Sequence, residues 1–161
     1  MARISLKTKV KLPDLKDYIT KVKQVTAEEA TRTVMFDLKR AGPYFTGEFE
    51  KAWVSRAGDV PIPTARASKY TEEERFEIAR TKQKVFTEPV VIPLKGKELN
   101  SYTIGNLMDY RDIAMDLVDP PERVGRLSAE RDWYVLYVQG TDLITSLRRG
   151  VQQATRDPRL K

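Results

Sequence analysis

Apolar residues return at short, regular steps along the first third of the chain: Leu15, Tyr18, Ile19, Val22, Val25, Ala30, Val34, Leu38 and Ala41. That period sets them on one stripe of a long helix, with Lys16, Lys21, Lys23 and Glu28 turned away from it. The flanking residues agree. Pro13 suits a first helical turn, Asp14 and Asp17 complement the positive end of the helix dipole, and Lys39 and Arg40 before Gly42-Pro43 mark the other end. The spacing predicts a helix from about Asp14 to Ala41.

Beyond this helix the period is lost. Tyr44 to Val54 is aromatic-rich and opens on a turn signal, which predicts a short link into a strand at about Lys51 to Arg56, its aromatics seating the helix on a sheet. From Gly58 to Glu88, Pro61 and Pro63 interrupt any ladder and Ser68 to Lys84 is dominated by charge, so the stretch reads as an excursion from the core. Inside it, Thr71 followed by Glu74 fits a capping box opening a candidate helix over Glu72 to Lys84, with only Phe76 and Ile78 to bury. Val90-Val91-Ile92, between Pro89 and Pro93, and Ser101 to Ile104 are short strand candidates, joined across Gly96 as an antiparallel hairpin. Asn106 is placed to cap a short helix bearing Leu107, Tyr110, Ile113, Ala114 and Leu117, which ends before Asp119-Pro120-Pro121.

Trp133 to Val138 fits two periods. Its composition is strand-like, yet Trp133, Tyr137, Gly140, Ile144, Leu147, Val151 and Ala154 keep helical spacing. Asp142 to Ala154 is helical on either account, and Thr155 to Lys161 is a basic tail expected to be mobile. The sum is an α+β fold. A long N-terminal helix packs on a small antiparallel sheet, with a C-terminal helix and a long charged excursion at 58–88, in one domain of 161 residues.

Counting narrows the chemistry. The chain has no cysteine and no histidine, which excludes disulfides, thiolate metal sites, thiol nucleophiles and imidazole bases. No glycine-rich phosphate loop, dinucleotide fingerprint or nucleophile elbow is present. Glu72-Glu73-Glu74 is an acidic run, but neighbouring carboxylates at a helix start point in different directions and serve the dipole. Asp109, Asp112 and Asp116 share a helix face by spacing, with no histidine or glycine loop to complete a divalent-ion site, and they are the residues on which a carboxylate-dependent hydrolase would have to rest. The expectation is a non-enzyme with no catalytic residue, no cofactor and no metal. No apolar run reaches the roughly 18 residues of a membrane span, and Met1 to Lys11 carries charge in place of a leader, so the chain is expected to stay in the cytoplasm where it is made, with no membrane partner.

The net charge of +6 is unevenly placed. Met1 to Lys23 holds seven Lys or Arg against Asp14 and Asp17, and Thr141 to Lys161 holds five against Asp142 and Asp157. Basic ends neutralise phosphates whatever the base sequence, which keeps a small DNA-binding or packaging accessory protein as the alternative to a structural subunit. They lack the interleaved aromatics of single-strand binders.

Phe45-Thr46-Gly47-Glu48-Phe49-Glu50-Lys51-Ala52-Trp53 resembles the Thr-Gly-x-hydrophobic-x-x-small-hydrophobic segment that follows a long helix in tail-completion and neck proteins of tailed phages. The family's strand, Asn and Tyr region is similar to Tyr102-Thr103-Ile104-Gly105-Asn106 followed by Tyr110, with Arg111 standing where the family has Ala. Tyr134 to Thr141 is the competing match. The resemblance implies a structural virion component: a homo-oligomeric ring in the neck or tail, made in the host cytoplasm, acting as a neck, tail-completion or terminator protein at the head-tail junction. A hexamer is favoured over a dodecamer, with head-connector and tail-tube proteins as neighbours and non-specific contact with genomic DNA. On that basis Tyr44, Phe45, Phe49 and Trp53 are expected at the oligomer interface, and Lys7, Lys9, Lys11, Arg159 and Lys161 toward the lumen or nucleic acid.

Overall fold

The computed structural model describes residues 12–44, 46–71, 73–74, 77–78, 85–94, 101–109, 111, 114 and 132–161. Helix α1 runs over Leu12–Ala41, with Asp14 in its first turn and Lys39 and Arg40 in its last, close to the expected bounds. After Gly42-Pro43 the chain reverses through Gly47, whose φ of 81° lies where a side chain is strained, and enters a single-turn helix α2, Glu48–Lys51. Strand β1, Trp53–Ala57, follows at once.

β1 pairs antiparallel with β2, Tyr102–Asn106, Trp53 facing Asn106 and Ala57 facing Tyr102. The expected hairpin between Val90–Ile92 and Ser101–Ile104 is not what forms among the described residues. Val90–Ile92 has no regular secondary structure and belongs to no ladder, and β2 takes β1 as its partner. Pro89 and Pro93 remove the N–H groups on either side of the Val-Val-Ile run, which leaves it poorly equipped for a ladder. Asn106 closes the end of β2: its Nδ2 donates to the Phe49 carbonyl at 2.8 Å and its Oδ1 accepts from the Met108 N–H at 3.0 Å. Leu107 to Asp109 are not helical, and most of the helix expected to follow, with Tyr110, Ile113 and Leu117, lies outside the described residues. The capping box at Thr71 is formed, with the Thr71 N–H on Glu74 Oε2 and the Glu74 N–H on Thr71 Oγ1.

At the C-terminal end the helical period wins. Helix α3 spans Trp133–Gln139 and helix α4 spans Thr141–Ala154. Trp133 and Tyr137, one turn apart, both reach the core, whereas strand alternation would have buried Val135 between them, and Val135 is 37% exposed. Tyr102–Asn106 is thus a strand and Tyr134–Gln139 is helical.

The core joins Val34, Met35 and Leu38 of α1 to Phe49, Trp53, Met108 and Trp133. Phe49 meets Trp53 and Trp133 edge-on, at ring separations of 5.8 and 6.3 Å. The Trp133 indole N–H donates to the Ala114 carbonyl at 2.8 Å, so its burial leaves no orphan donor. α4 lies antiparallel along the C-terminal half of α1, Gly150 against Ala30 and Ser146 bonded to Asp37. The expected mobile tail is tied down. Pro158–Leu160 forms a single 3-10 turn with Asp157 accepting from the Arg159 N–H, and Arg159 reaches back to Glu28 of α1.

Candidate assembly surface

Three buried glutamates hold the irregular parts of the chain in place. Glu28, expected on the outer face of α1, is 3% exposed and accepts the Leu94 N–H at 3.1 Å through one oxygen and the Arg159 guanidinium through the other. Glu48 accepts the Lys69 N–H at 3.0 Å and the Ser68 hydroxyl at 2.6 Å. Glu50, fully buried, accepts both the N–H and the hydroxyl of Thr87, at 2.8 and 2.9 Å, and faces Lys39 Nζ at 3.3 Å. Lys39 also donates to the Thr87 hydroxyl and carbonyl, and the Tyr44 hydroxyl bonds both backbone groups of Val85. A charged acceptor that takes backbone N–H groups anchors chain that no ladder holds. The described parts of 58–88 are therefore pinned to α1 and α2 by side chains.

This architecture moves the expected site residues. Tyr44, Phe49 and Trp53 are 1, 3 and 4% exposed and form part of the chain's own interior, not an open surface. Their size and apolarity serve to seat α1 on the sheet. Phe45, Lys7, Lys9 and Lys11 lie outside the described residues. Arg159 pairs with Glu28 and Asp157 within the chain and keeps its side chain 40% exposed, and Lys161 is exposed. Asp109 is exposed; Asp112 and Asp116 lie outside the described residues. Among the described residues no three metal-ligating side chains come together.

What the fold leaves open is apolar. On α1, Leu15, Tyr18 and Ile19 are 44, 52 and 45% exposed, at the end of the helix that overhangs the body. On α4, Ser146, Gly150 and Ala154 face α1, and the larger Ile144, Leu147 and Val151 are 50, 40 and 45% exposed on the flank beside them. Leu136 and Val138 of α3 are open as well. An amphipathic helix of a monomer normally buries its large residues and exposes its small or polar ones. Sequence spacing marked these positions as a helical stripe but could not say that small residues, every fourth along the helix, form the inward seam. That i, i+4, i+8 run of Ser, Gly and Ala was the available signal.

Between α1 and α4 runs a polar strut. The Tyr137 hydroxyl donates to Ser146 Oγ at 2.9 Å, Ser146 donates to Asp37, and Arg149 pairs with the same carboxylate. Ser146 is 2% exposed, so it locks two helices and is not open to a substrate. Burial, reinforced by the nearby Asp37 charge, pushes the Tyr137 phenol up to about 12; burial, with Glu28 close by, does the same for Tyr102, whose hydroxyl donates to the Ile92 carbonyl at 2.8 Å. Each folded-state value stands above the ordinary 10.0, so the stabilisation is complete below pH 10 and is lost as pH rises toward 12. Titration followed by phenolate absorbance is expected to show Tyr102 and Tyr137 ionising late, in step with loss of structure. Tyr102→Phe should remove one late group; a late phase that is unchanged in Tyr102→Phe would contradict the assignment of Tyr102. Asp157 is held below its ordinary range by its hydrogen bonds to Arg159.

Comparison of the chain with protein-family models, with curated proteins and with solved structures gives no match in any of the three.

Proposed function

We propose that this chain is a structural subunit that assembles with copies of itself into a ring at the head-tail junction of a tailed bacteriophage, in the role of a neck or tail-completion protein. The resemblance of Phe45–Trp53 and Tyr102–Asn106 to that family supplies the setting. The observation that carries the assembly half of the proposal is the outward apolar flank of α4, where Ile144, Leu147 and Val151 are each 40 to 50% exposed while the small residues face inward. Apolar side chains kept together in water at helical spacing are the mark of a surface that is covered in the working state. Self-association of this kind requires no catalytic step, only a local concentration high enough to fill the ring. A hexamer is favoured, with head-connector and tail-tube proteins as neighbours.

Light scattering after size exclusion, over a concentration series, tests it. A discrete sixfold or twelvefold species in the absence of DNA is the expected result. A chain that stays monomeric and gains mass only on adding DNA, with that gain falling steeply as salt rises, would sink the ring and favour a DNA-binding accessory protein.

A further inference from the structure

Leu15, Ile19 and Val22 lie in line, at helical steps of three and four, with Ala30, Thr33 and Asp37 farther along α1. The second group is the face on which α4 rests: Gly150 sits against Ala30, Gln153 accepts the Thr33 hydroxyl and Ser146 bonds Asp37. One face of α1 is thus covered over its C-terminal half by the chain's own α4. Toward its N-terminal end the described residues leave it largely uncovered, Leu15 and Ile19 being 44 and 45% exposed and Val22 half-buried, since α4 ends at Ala154 and the Pro158–Leu160 turn closes on Glu28. The open stretch runs from Asp14 to Lys23, about 14 Å at the helical rise, and Val25 just beyond it is buried.

We infer that this overhang receives the outward α3–α4 flank of a second copy of the same chain, so that successive subunits join head to tail. The inference rests on the ring proposed above and names its contact. Three features favour this occupant. The overhang continues a face already shaped to take a helix. The flank offers such a helix, with Ile144, Leu147 and Val151 uncovered. The two faces also differ, so pairing either with its own copy would leave the other bare; one head-to-tail contact covers both. A contact between unlike patches propagates, and it closes into a ring when the rotation between subunits allows.

Ile19→Glu and Leu147→Glu test this directly. Both positions are exposed, at 45 and 40%, so each variant should unfold at the temperature of an unassembled wild-type subunit. Alone, each should raise the concentration needed for assembly at least tenfold. Mixed in equal amounts they should give a one-to-one heterodimer and nothing larger, because the intact overhang of the Leu147→Glu copy meets the intact flank of the Ile19→Glu copy and only spoiled faces remain. Homodimers of the Ile19→Glu variant, or no heterodimer from the mixture, would overturn the head-to-tail contact. Wild-type protein that never assembles would overturn the ring as well, which separates the two failures. Since the chain has no cysteine, mixing Tyr18→Cys with Val151→Cys under oxidation gives a second readout. Mixed disulfides are expected; disulfides only between like chains would count against it.

Discussion

Lys39→Met is expected to destabilise the subunit by about 3–5 kcal/mol, the loss typical when one member of a buried ion pair is removed and its partner stays charged. The Lys39 and Glu50 side chains are 4 and 0% exposed, with Nζ and Oε1 3.3 Å apart. Without the ammonium, Glu50 keeps its two bonds from Thr87, but its Oε2, which has no hydrogen-bond partner, is left with an uncompensated charge in an apolar surround. The double variant Lys39→Met/Glu50→Leu removes both charges and should regain most of the loss, since a buried pair is often replaceable by apolar residues of similar size. Equilibrium denaturation of the wild type, both single variants and the double variant closes the cycle. Additive single losses, or a Lys39→Met penalty below about 1 kcal/mol, would mean the pair is solvated and the account of it is wrong. The double variant has a second consequence. Thr87 loses its anchors, so the segment Val85–Leu94 should become an early site of proteolysis even where global stability has recovered.

These glutamates also mark where sequence reading stops. α1, α4, β1 and the Thr71 capping box were legible because each is written in local spacing: a 3.6-residue period, a capping pair, a run of β-formers after a turn. The burial of Glu28, Glu48 and Glu50 is not local. Each carboxylate is stabilised by backbone N–H groups 21 to 66 residues away in sequence, and nothing near it distinguishes it from a solvated charge. The pairing of β2 failed for a related reason. Val90–Ile92 has the composition of a strand, but ladder partners are chosen by the whole fold, and the prolines at both ends weaken its claim. The aromatics Phe49 and Trp53 show the opposite difficulty. Large apolar residues suit a core and an interface equally well by type, and only their exposure of 3 and 4% separates the two. For the proposed assembly surface, the stripe Leu15, Tyr18, Ile19 and Val22 was legible as apolar. That it outruns the helix covering it depends on where α4 ends.

Gly150→Ala should destabilise the subunit by about 1–3 kcal/mol, a substitution that in an exposed helix interior would stabilise by about 1 kcal/mol. The sign is the test. A Cβ at Gly150 would stand 2.5 Å from Ala30 Cα and 2.8 Å from the Ala30 nitrogen and the Glu29 carbonyl oxygen, all of them backbone atoms of α1. A flexible side chain could swing aside, but a helix backbone cannot, so α4 must lift. Lifting strains the bonds on both sides of the contact, from Ser146 to Asp37 and from Thr33 to Gln153, which makes the upper end of the range the expected one. Because α4 carries Ile144, Leu147 and Val151 on its flank, the same displacement should weaken assembly under conditions where the subunit is still folded. Chemical denaturation and a mass series on Gly150→Ala therefore read two quantities from one methyl group. Lower stability with weaker assembly is the expected pair. A stabilised variant would show that α1 and α4 do not approach through Gly150, and with that the inward small-residue seam, and the outward apolar flank it implies, would fall together.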